Sequence, residues 1–414
     1  MAPKDLRIVV TGLGALTPVG NNVIEIWDSL IHGISGISPI TQFDPSGLET
    51  RIAGEVKGFD PKSFFNPRDA RRLDRVVQLA LVAAHQAVDD AGPGLFPADR
   101  GRIAIAIGTG IGGGGTLYRG FLDYVESGSS AVSPFFIPMS IPDSIAARLA
   151  MEFDARAINL TFPAACASGT IALGEAAELI RRGSADVVLA GGAEAGIVPP
   201  VLAGFGQMRV LSTHNEDPAR ACRPFAKGRD GFVLSEGAAI LILESYEHAI
   251  QRGAKIYGEL AGYGASMDAT NVAAPSEGGL EMARAILQSL QQAGITPVEV
   301  GYLNAHGTGT LLNDRIETQA IKKAFGEYAR KLIISSTKSM TGHMMGAAGA
   351  IEALICLMVL QGGCIPPTIN YEEPDPECDL NYTPNHSREA ETDIAVSTSL
   401  GMGGHNASLV FRKI

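Results

Sequence analysis

The feature that most constrains the fold of this chain is an order of strands and helices that occurs twice. Apolar runs typical of buried strands lie in the first half at 7–10, 102–108, 157–162, 186–191 and 237–244. Similar runs lie in the second half at 255–264, 300–306, 332–337, 393–401 and 406–412. A repeated β-α-β-α-β-β order predicts an internal duplication, with halves at residues 1–252 and 253–414. We therefore expect an α/β protein in which related strand ends of both halves meet at one face.

The composition agrees with strands that are covered by helices on both faces. Hydrophobic residues make up 46% of the 414 residues and charged residues only 19%, as is typical of buried strands. The net charge of −11 argues against a nucleic-acid partner. Five scattered cysteines without a CxxC pair indicate a reducing compartment and argue against disulfides or a zinc loop. No signal-like leader precedes Arg7 and no apolar run approaches about 20 residues, so we expect a cytoplasmic protein without a membrane span.

Three local patterns add expectations about individual elements. The glycines at 12 and 14 predict a turn after the first strand, but the third glycine and the acidic residue of a dinucleotide fingerprint are missing. No NAD is therefore expected. Apolar residues at helical spacing predict one long helix over 64–90, and the Pro- and Ser-rich stretch 127–145 is expected to be irregular.

Cys166 lies on a turn of small residues, 163–170, between an expected strand and an expected helix. The helix is predicted because apolar residues recur at helical spacing from Leu173 to Ile180. Backbone N–H groups and the helix dipole at such a turn lower the pKa of a thiol from ~8.5, which favours a nucleophile. A free cysteine can equally be a small buried hydrophobe. The residues of this turn alone leave both interpretations open.

Two histidines follow strands of the second half in turns rich in glycine, serine and threonine. His306 lies in 304–310, and His343 lies in 336–343 together with Lys338. A cysteine with two histidines and no acidic partner suits acyl transfer, because the sulfur can hold a thioester while the imidazoles stabilise an oxyanion or enolate. A Cys-His protease would need an orienting Asn or Asp. The spacing is not that of a local zinc loop, and no metal is expected.

Several motifs in one order make the chain similar to a known family. They are the Ala-Cys-Ala-Ser-Gly turn at 165–169 and the segments 224–234, 306–310, 338–343, 365–370 and 401–404. The chain resembles the elongating β-ketoacyl-acyl carrier protein synthases of type II fatty acid synthesis, and within them the synthase II branch. The resemblance covers essentially the whole chain. It implies a thiolase-like fold with five layers, α-β-α-β-α, and a homodimer.

The resemblance also implies a reaction. Cys166 would take the growing acyl chain from an acyl carrier protein, and a malonyl carrier protein would then lose CO2. His306 and His343 would stabilise the resulting enolate, whose carbon attacks the bound thioester. The backbone N–H groups of Cys166 and Met402 would form the oxyanion hole. No cofactor is implied.

Further positions match the family's supporting and binding residues. Lys338 and Glu352 would order the histidines, although a purely structural ion pair is equally open. The expected substrate contacts are Thr308, Thr310, Ile111 and Phe205. The expected carrier-protein docking residues are Lys62, Arg68, Arg71, Arg72 and Arg209. A charge run of this kind can also be an ordinary solvated face.

Two departures from the family pattern bear on acyl-chain preference. Met402 stands where a phenylalanine gate is common, and His405 stands where many members have threonine. The competing functions are the same condensation in a polyketide or other specialised pathway, and a non-catalytic partner subunit. Such a subunit usually lacks the nucleophile, whereas Cys166 is present. A thiolase would need a second cysteine near 401–404, and an initiating synthase would have an asparagine in place of His343.

Overall fold

The main sheet of the structure has ten strands. A computed structural model describes residues 6–414. The strands are β1 (Ile8–Leu16), β2 (Ile103–Gly108), β3 (Asn159–Phe162), β4 (Val187–Glu194), β5 (Gly237–Ser245), β6 (Gly258–Met267), β7 (Tyr302–Asn304), β8 (Ile333–Ser335), β9 (Ile394–Gly401) and β10 (His405–Arg412). Two short pairs lie outside this sheet, Ser38–Pro39 with Ile52–Ala53 and Cys364–Ile365 with Arg388–Glu389.

The strand order repeats in the two halves. From edge to edge the order is β8-β7-β9-β10-β6-β1-β5-β4-β2-β3. In each half the first strand pairs antiparallel with the fifth, the fifth pairs antiparallel with the fourth, and the second lies parallel between the fourth and the third. The halves join where β1 and β6 pair at Val9–Glu259 and Val10–Gly258. The predicted internal duplication is confirmed, because five strands in each half follow the same order in the sheet.

Helices cover both faces of these strands. They are α1 (Val23–Ile31), α2 (Pro67–Ala70), α3 (Arg75–Ala91), α4 (Gly114–Ser127), α5 (Phe136–Ser140), α6 (Ser144–Phe153), α7 (Ser168–Arg181), α8 (Pro199–Gln207), α9 (Tyr246–Gln251), α10 (Leu280–Ala293), α11 (Leu311–Phe325), α12 (Lys338–Thr341) and α13 (Ala348–Gly362). One apolar core surrounds α7 and α13 between the two halves of the sheet. A second core lies under α3 and α6, and a third under α10 and α11. These layers follow the order α-β-α-β-α.

The turn predicted at Gly12 and Gly14 is wrong, because both glycines lie inside β1. A Cβ atom at Gly14 would overlap the carbonyl oxygen of Ala83 in α3. Gly264 in β6 has the same relation to the carbonyl oxygen of Ala285 in α10. The glycines therefore allow a helix to lie directly on each of the two central strands, rather than turning the chain.

The single long helix predicted over 64–90 is also wrong in its first part. Helix α3 begins at Arg75, because the Asp74 side chain caps it by accepting a hydrogen bond from the Val76 N–H at 3.1 Å. The other carboxylate oxygen of Asp74 accepts one from the Thr116 N–H at 2.8 Å. The stretch 127–145 contains α5 and the start of α6, so it is more regular than predicted.

The segment Met345–Gly362 has the length and apolar composition of a membrane span. However, 83% of it is buried inside the fold. Helix α13, which forms most of this segment, packs with α7 in the central core, to which both Leu173 and Ile351 belong. An apolar surface on every side is what a helix needs when it lies between two layers of strands.

Candidate active site

Cys166 lies on a short turn, Ala165–Ala167, that joins β3 to α7. Ala165 has a left-handed backbone with φ of 50°. The Ser168 side chain holds the turn, because its hydroxyl accepts the Ala164 N–H at 2.9 Å and donates to the Ala165 carbonyl at 2.6 Å. The sulfur thus stands at the helix N-terminus, and the residue is only 5% exposed.

His306 follows β7 in a loop whose backbone is bound by the Glu317 side chain of α11. The backbone N–H groups of His306 and Gly307 each donate to the Glu317 carboxylate at 2.7 Å. Asp314, one turn earlier on α11, accepts the Gly309 N–H at 3.2 Å. Neither acid was predicted from the sequence. Their i, i+3 spacing places them on one face of α11, but the sequence does not show that backbone N–H groups meet there.

His343 is fixed by its backbone against the 233–235 segment of the first half. Its N–H donates to the Val233 carbonyl at 2.8 Å, and its carbonyl accepts the Ser235 N–H at 3.0 Å. Its Nε2 lies 3.0 Å from the Cys166 Sγ. The Phe232 ring packs edge-on against the imidazole, with 5.3 Å between ring centroids. Both halves of the chain therefore contribute to one site.

The structure brings the three predicted reactive side chains together. One ligand-type atom from each of Cys166, His306 and His343 lies within 4.8 Å of the others. The two imidazole rings are 5.3 Å apart and nearly perpendicular. This donor set would suit zinc. The Lys338 ammonium, 3.4 Å from His306 Nδ1, is a positive charge that would repel a second cation there.

Lys338 and Glu352 form a buried ion pair behind the histidines. Lys338 begins α12 and donates to the Glu352 carboxylate of α13, and both side chains are at most 3% exposed. An ammonium group has only donors. His306 Nδ1 therefore accepts from Lys338, and the proton of a neutral His306 lies on Nε2.

Burial sets the protonation of this site. It raises the pKa of the Cys166 thiol to about 12, against opposing effects of Lys338 and the Met402 N–H. It also lowers the pKa of His306 and His343 well below the usual range, and the Lys338 charge lowers both further. The lowered thiol pKa predicted from the helix dipole is therefore wrong. The turn that places the sulfur at the helix end also removes it from water, and desolvation is the larger effect.

Met402 lies in the tight turn between β9 and β10. Gly403 and Gly404 have φ of 87° and 89°, which glycine adopts without strain. The Met402 N–H acts on the Cys166 thiol by lowering its pKa, as a donor of the predicted oxyanion hole would. His405 pairs with Gly401 at the start of β10.

A cavity of about 140 Å³ opens beside the sulfur. Its lining includes Cys166, His306, His343, Thr308, Thr310, Met345 and Met402. Two predicted substrate contacts lie outside this lining. Phe205 packs edge-on against Phe232 at 5.4 Å, within the apolar cluster that contains Cys166, and Ile111 lies against Gly196. The cavity is smaller than the roughly 300–1,000 Å³ of ordinary ligand pockets, so a long acyl chain must displace apolar side chains.

The predicted docking cations lie on the surface in two segments. Lys62, Arg68 and Arg71 are exposed, and the Arg72 guanidinium stacks over the Phe135 ring at 4.5 Å. Arg209 is exposed after α8 and is followed directly by Val210, which lines the cavity.

Comparisons with known proteins show the family of the chain. Residues 5–249 match the family description "Beta-ketoacyl synthase, N-terminal domain", and residues 257–372 match "Beta-ketoacyl synthase, C-terminal domain". The chain is 46% identical over 407 residues to 3-oxoacyl-[acyl-carrier-protein] synthase 2 of a Synechocystis strain, covering 98% of both chains. It is 45% identical over 410 residues to the Staphylococcus aureus protein of the same name, covering 99% of both.

Solved structures extend the comparison to the fold. A type II polyketide ketosynthase in complex with its acyl carrier protein superimposes with a TM-score of 0.91 at 36% identity, covering 99% of both chains. A β-ketoacyl synthase from Burkholderia phymatum gives a TM-score of 0.91 at 35% identity, covering 99% of this chain and 100% of that one. The fold is that of the ketosynthases, with the expected thiolase-like architecture. The chain belongs to the β-ketoacyl synthase family.

The position of Lys338 leads to a prediction about pH dependence. Its charge disfavours protonation of both histidines, so Lys338→Met should raise the pKa of His306 and His343. The acid limb of the pH–rate profile for malonyl decarboxylation should move to higher pH, because both histidines become protonated sooner as the pH falls. Lys322→Met, which removes a surface lysine paired with Asp379, is the control and should leave the profile unchanged. An unmoved acid limb in Lys338→Met would contradict this electrostatic role.

Proposed function

We propose that this protein extends acyl chains in fatty acid biosynthesis by decarboxylative condensation with malonyl-acyl carrier protein, giving a 3-oxoacyl-acyl carrier protein. The observation that carries this proposal is the contact between Cys166 Sγ and His343 Nε2 at 3.0 Å, with His306 in the same cavity. Relatives at 45–46% identity carry a synthase 2 name, whereas the polyketide ketosynthase structure is 36% identical. These identities favour fatty acid over polyketide synthesis.

In the first half-reaction, Cys166 attacks the thioester of the acyl carrier protein. The thiol is protonated at rest, because burial raises its pKa. His343 Nε2 is placed to take the proton as the new S–C bond forms. The bond between the acyl carbon and the carrier sulfur breaks, and the departing carrier thiolate takes the proton from His343. The thioester oxygen faces the N–H groups of Cys166 and Met402.

In the second half-reaction, malonyl carrier protein loses CO2 and leaves an enolate. His306 donates to its oxygen through Nε2–H, since Lys338 occupies Nδ1, and the His343 imidazole faces the same cavity. The enolate carbon attacks the Cys166 thioester, a C–C bond forms, and the Cys166 thiolate departs. The Cys166 thiolate then takes up one proton, which is the proton that the overall reaction consumes.

The remaining site residues have binding roles. Thr308 and Thr310, whose hydroxyls are 3.0 Å apart at the cavity wall, suit hydrogen bonds to the phosphopantetheine arm. Met402 lies in a turn whose glycines give the backbone conformational freedom. Its side chain gates the path to the sulfur. Phe205 and Ile111 lie outside the cavity lining, where displacement of the wall would expose them to a long chain.

The assembly and location of the protein follow the same reasoning. Residues 1–252 and 253–414 form the two halves. The edge strand β3 and the exposed apolar side chains Phe121, Tyr124 and Val125 favour a homodimer. All five cysteines are unpaired, which favours the cytoplasm. Light scattering should give twice the mass of one chain, and Val125→Glu should lower it. A monomeric wild-type protein would contradict this assembly.

The two histidines should differ in their effects. His343→Ala should slow both the acylation of Cys166 and malonyl decarboxylation, because His343 contacts the sulfur. His306→Ala should slow decarboxylation by roughly 10²–10³ and acylation far less. Each half-reaction can be followed separately with acyl and malonyl carrier protein. If His343→Ala acylates at the wild-type rate, the proposed proton transfer is wrong.

The docking cations should act on carrier-protein substrates alone. The combined variant Arg68→Glu, Arg71→Glu and Arg72→Glu should raise KM for acyl carrier protein by about tenfold. It should leave turnover of a small pantetheine thioester unchanged. The matched control reverses three exposed cations of the second half, Arg284, Lys323 and Arg330. Equal losses with both substrates would show a structural role instead.

A further inference from the structure

Glu194 is a buried carboxylate that the proposed reaction does not use. It is the last residue of β4 and has no exposed surface. Its Oε2 accepts the Gly110 N–H at 2.7 Å and the Gly346 N–H at 3.0 Å. Its Oε1 accepts the Ile111 N–H at 3.2 Å. Backbone donors from two separate loops, one in each half of the chain, therefore converge on one side chain.

The internal duplication relates the position of the Glu194 carboxylate to the active site of the first half. Cys166 and Gly346 are the middle residues of equivalent turns, which begin α7 and α13. In both turns the first residue has a left-handed backbone, with φ of 50° at Ala165 and 43° at Met345. The N–H of Gly346 is thus the counterpart of the Cys166 N–H in the proposed oxyanion hole. In the second half, the Glu194 carboxylate therefore occupies the position that corresponds to the substrate oxyanion in the first half.

Met345 connects this arrangement to the active site. It lines the cavity beside Cys166 and belongs to the same apolar cluster. A non-glycine residue with this backbone conformation is strained, and it persists only where its surroundings hold it. The bond from Gly346 to Glu194 fixes the peptide that directly follows Met345.

We propose that Glu194 is a positioning residue that holds Met345 in the wall of the Cys166 cavity, and thereby limits which acyl groups reach the sulfur. The proposal rests on the proposed acylation of Cys166. It goes beyond that function because it assigns acyl-chain discrimination to a residue that touches neither substrate nor sulfur.

The test compares acylation of Cys166 by short and long acyl carrier proteins in a double-mutant cycle. Glu194→Gln replaces one acceptor oxygen with an NH2 group, which cannot accept the converging N–H groups. The wall should loosen, and the ratio of long-chain to short-chain acylation should rise by about tenfold. Met345→Ala should raise the same ratio. The double variant should match Met345→Ala alone, because both changes act on one wall.

Three results separate the possible outcomes. An unchanged ratio in Glu194→Gln, or effects that simply add in the double variant, would overturn the proposal. Absence of acylation in the wild-type protein would instead overturn the proposed function itself. Glu244→Gln is the matched control, because Glu244 is equally buried but bonds to Thr11, His248 and Arg252, and it should leave the ratio unchanged.

A folding measurement keeps the proposal testable if Glu194→Gln is unstable. Glycine adopts a positive φ without strain, so Met345→Gly removes the need for Glu194 to hold this backbone. Glu194→Gln should then lower the thermal midpoint less in the Met345→Gly background than in the wild-type background. An equal loss of stability in both backgrounds would show that Glu194 does not act through Met345, and would overturn the proposal.

Discussion

The close approach of α7 and α13 is the constraint on which the rest of the structure depends. A Cβ atom at Gly169 would lie 2.9 Å from the backbone of Ala350 and Gly346, and one at Gly349 would overlap the Thr170 hydroxyl. Small residues therefore let the N-terminal ends of two buried helices meet at the centre of the molecule. One of these ends presents Cys166. The other end, that of α13, follows the loop that carries His343. Glu352 lies one turn further along the same helix. The duplication thus builds a single site from two different copies of one element.

Burial then decides the chemistry of that site. A thiol and two imidazoles lose water, so each favours its neutral form: burial raises the pKa of Cys166 to about 12 and lowers the pKa of both histidines. Burial also raises the pKa of Glu352 to about 7, and the charge of Lys338 opposes that rise. Lys338 is the cation among them, and it fixes the tautomer of His306. A neutral thiol beside a neutral imidazole is a poor resting nucleophile but an effective one once a thioester enters, because the proton has an acceptor 3.0 Å away.

The duplicated α/β architecture could be predicted from the sequence, because apolar runs and helical spacing recur in the same order. Cys166, His306 and His343 could be found because each follows a strand in a turn of small residues. Glu317 and Glu194 could not, since each acts through backbone N–H groups that only the folded loops bring together. The thiol pKa was wrongly predicted because a sequence indicates where a helix begins but not how deeply that helix end is buried. Gly12 and Gly14 were wrongly predicted to form a turn, because glycine is favoured both in turns and where a helix packs closely on a strand.

The most direct test of the account is whether Cys166 carries the acyl chain. Intact-mass and peptide analysis after mixing the protein with acyl carrier protein should show one acyl group on the peptide that contains Cys166. Addition of malonyl carrier protein should discharge it as the 3-oxoacyl product. Cys166→Ala should remain folded, carry no acyl group and form no product. An acyl group on another cysteine, such as the half-exposed Cys364, or elongation by Cys166→Ala at the wild-type rate, would contradict the mechanism.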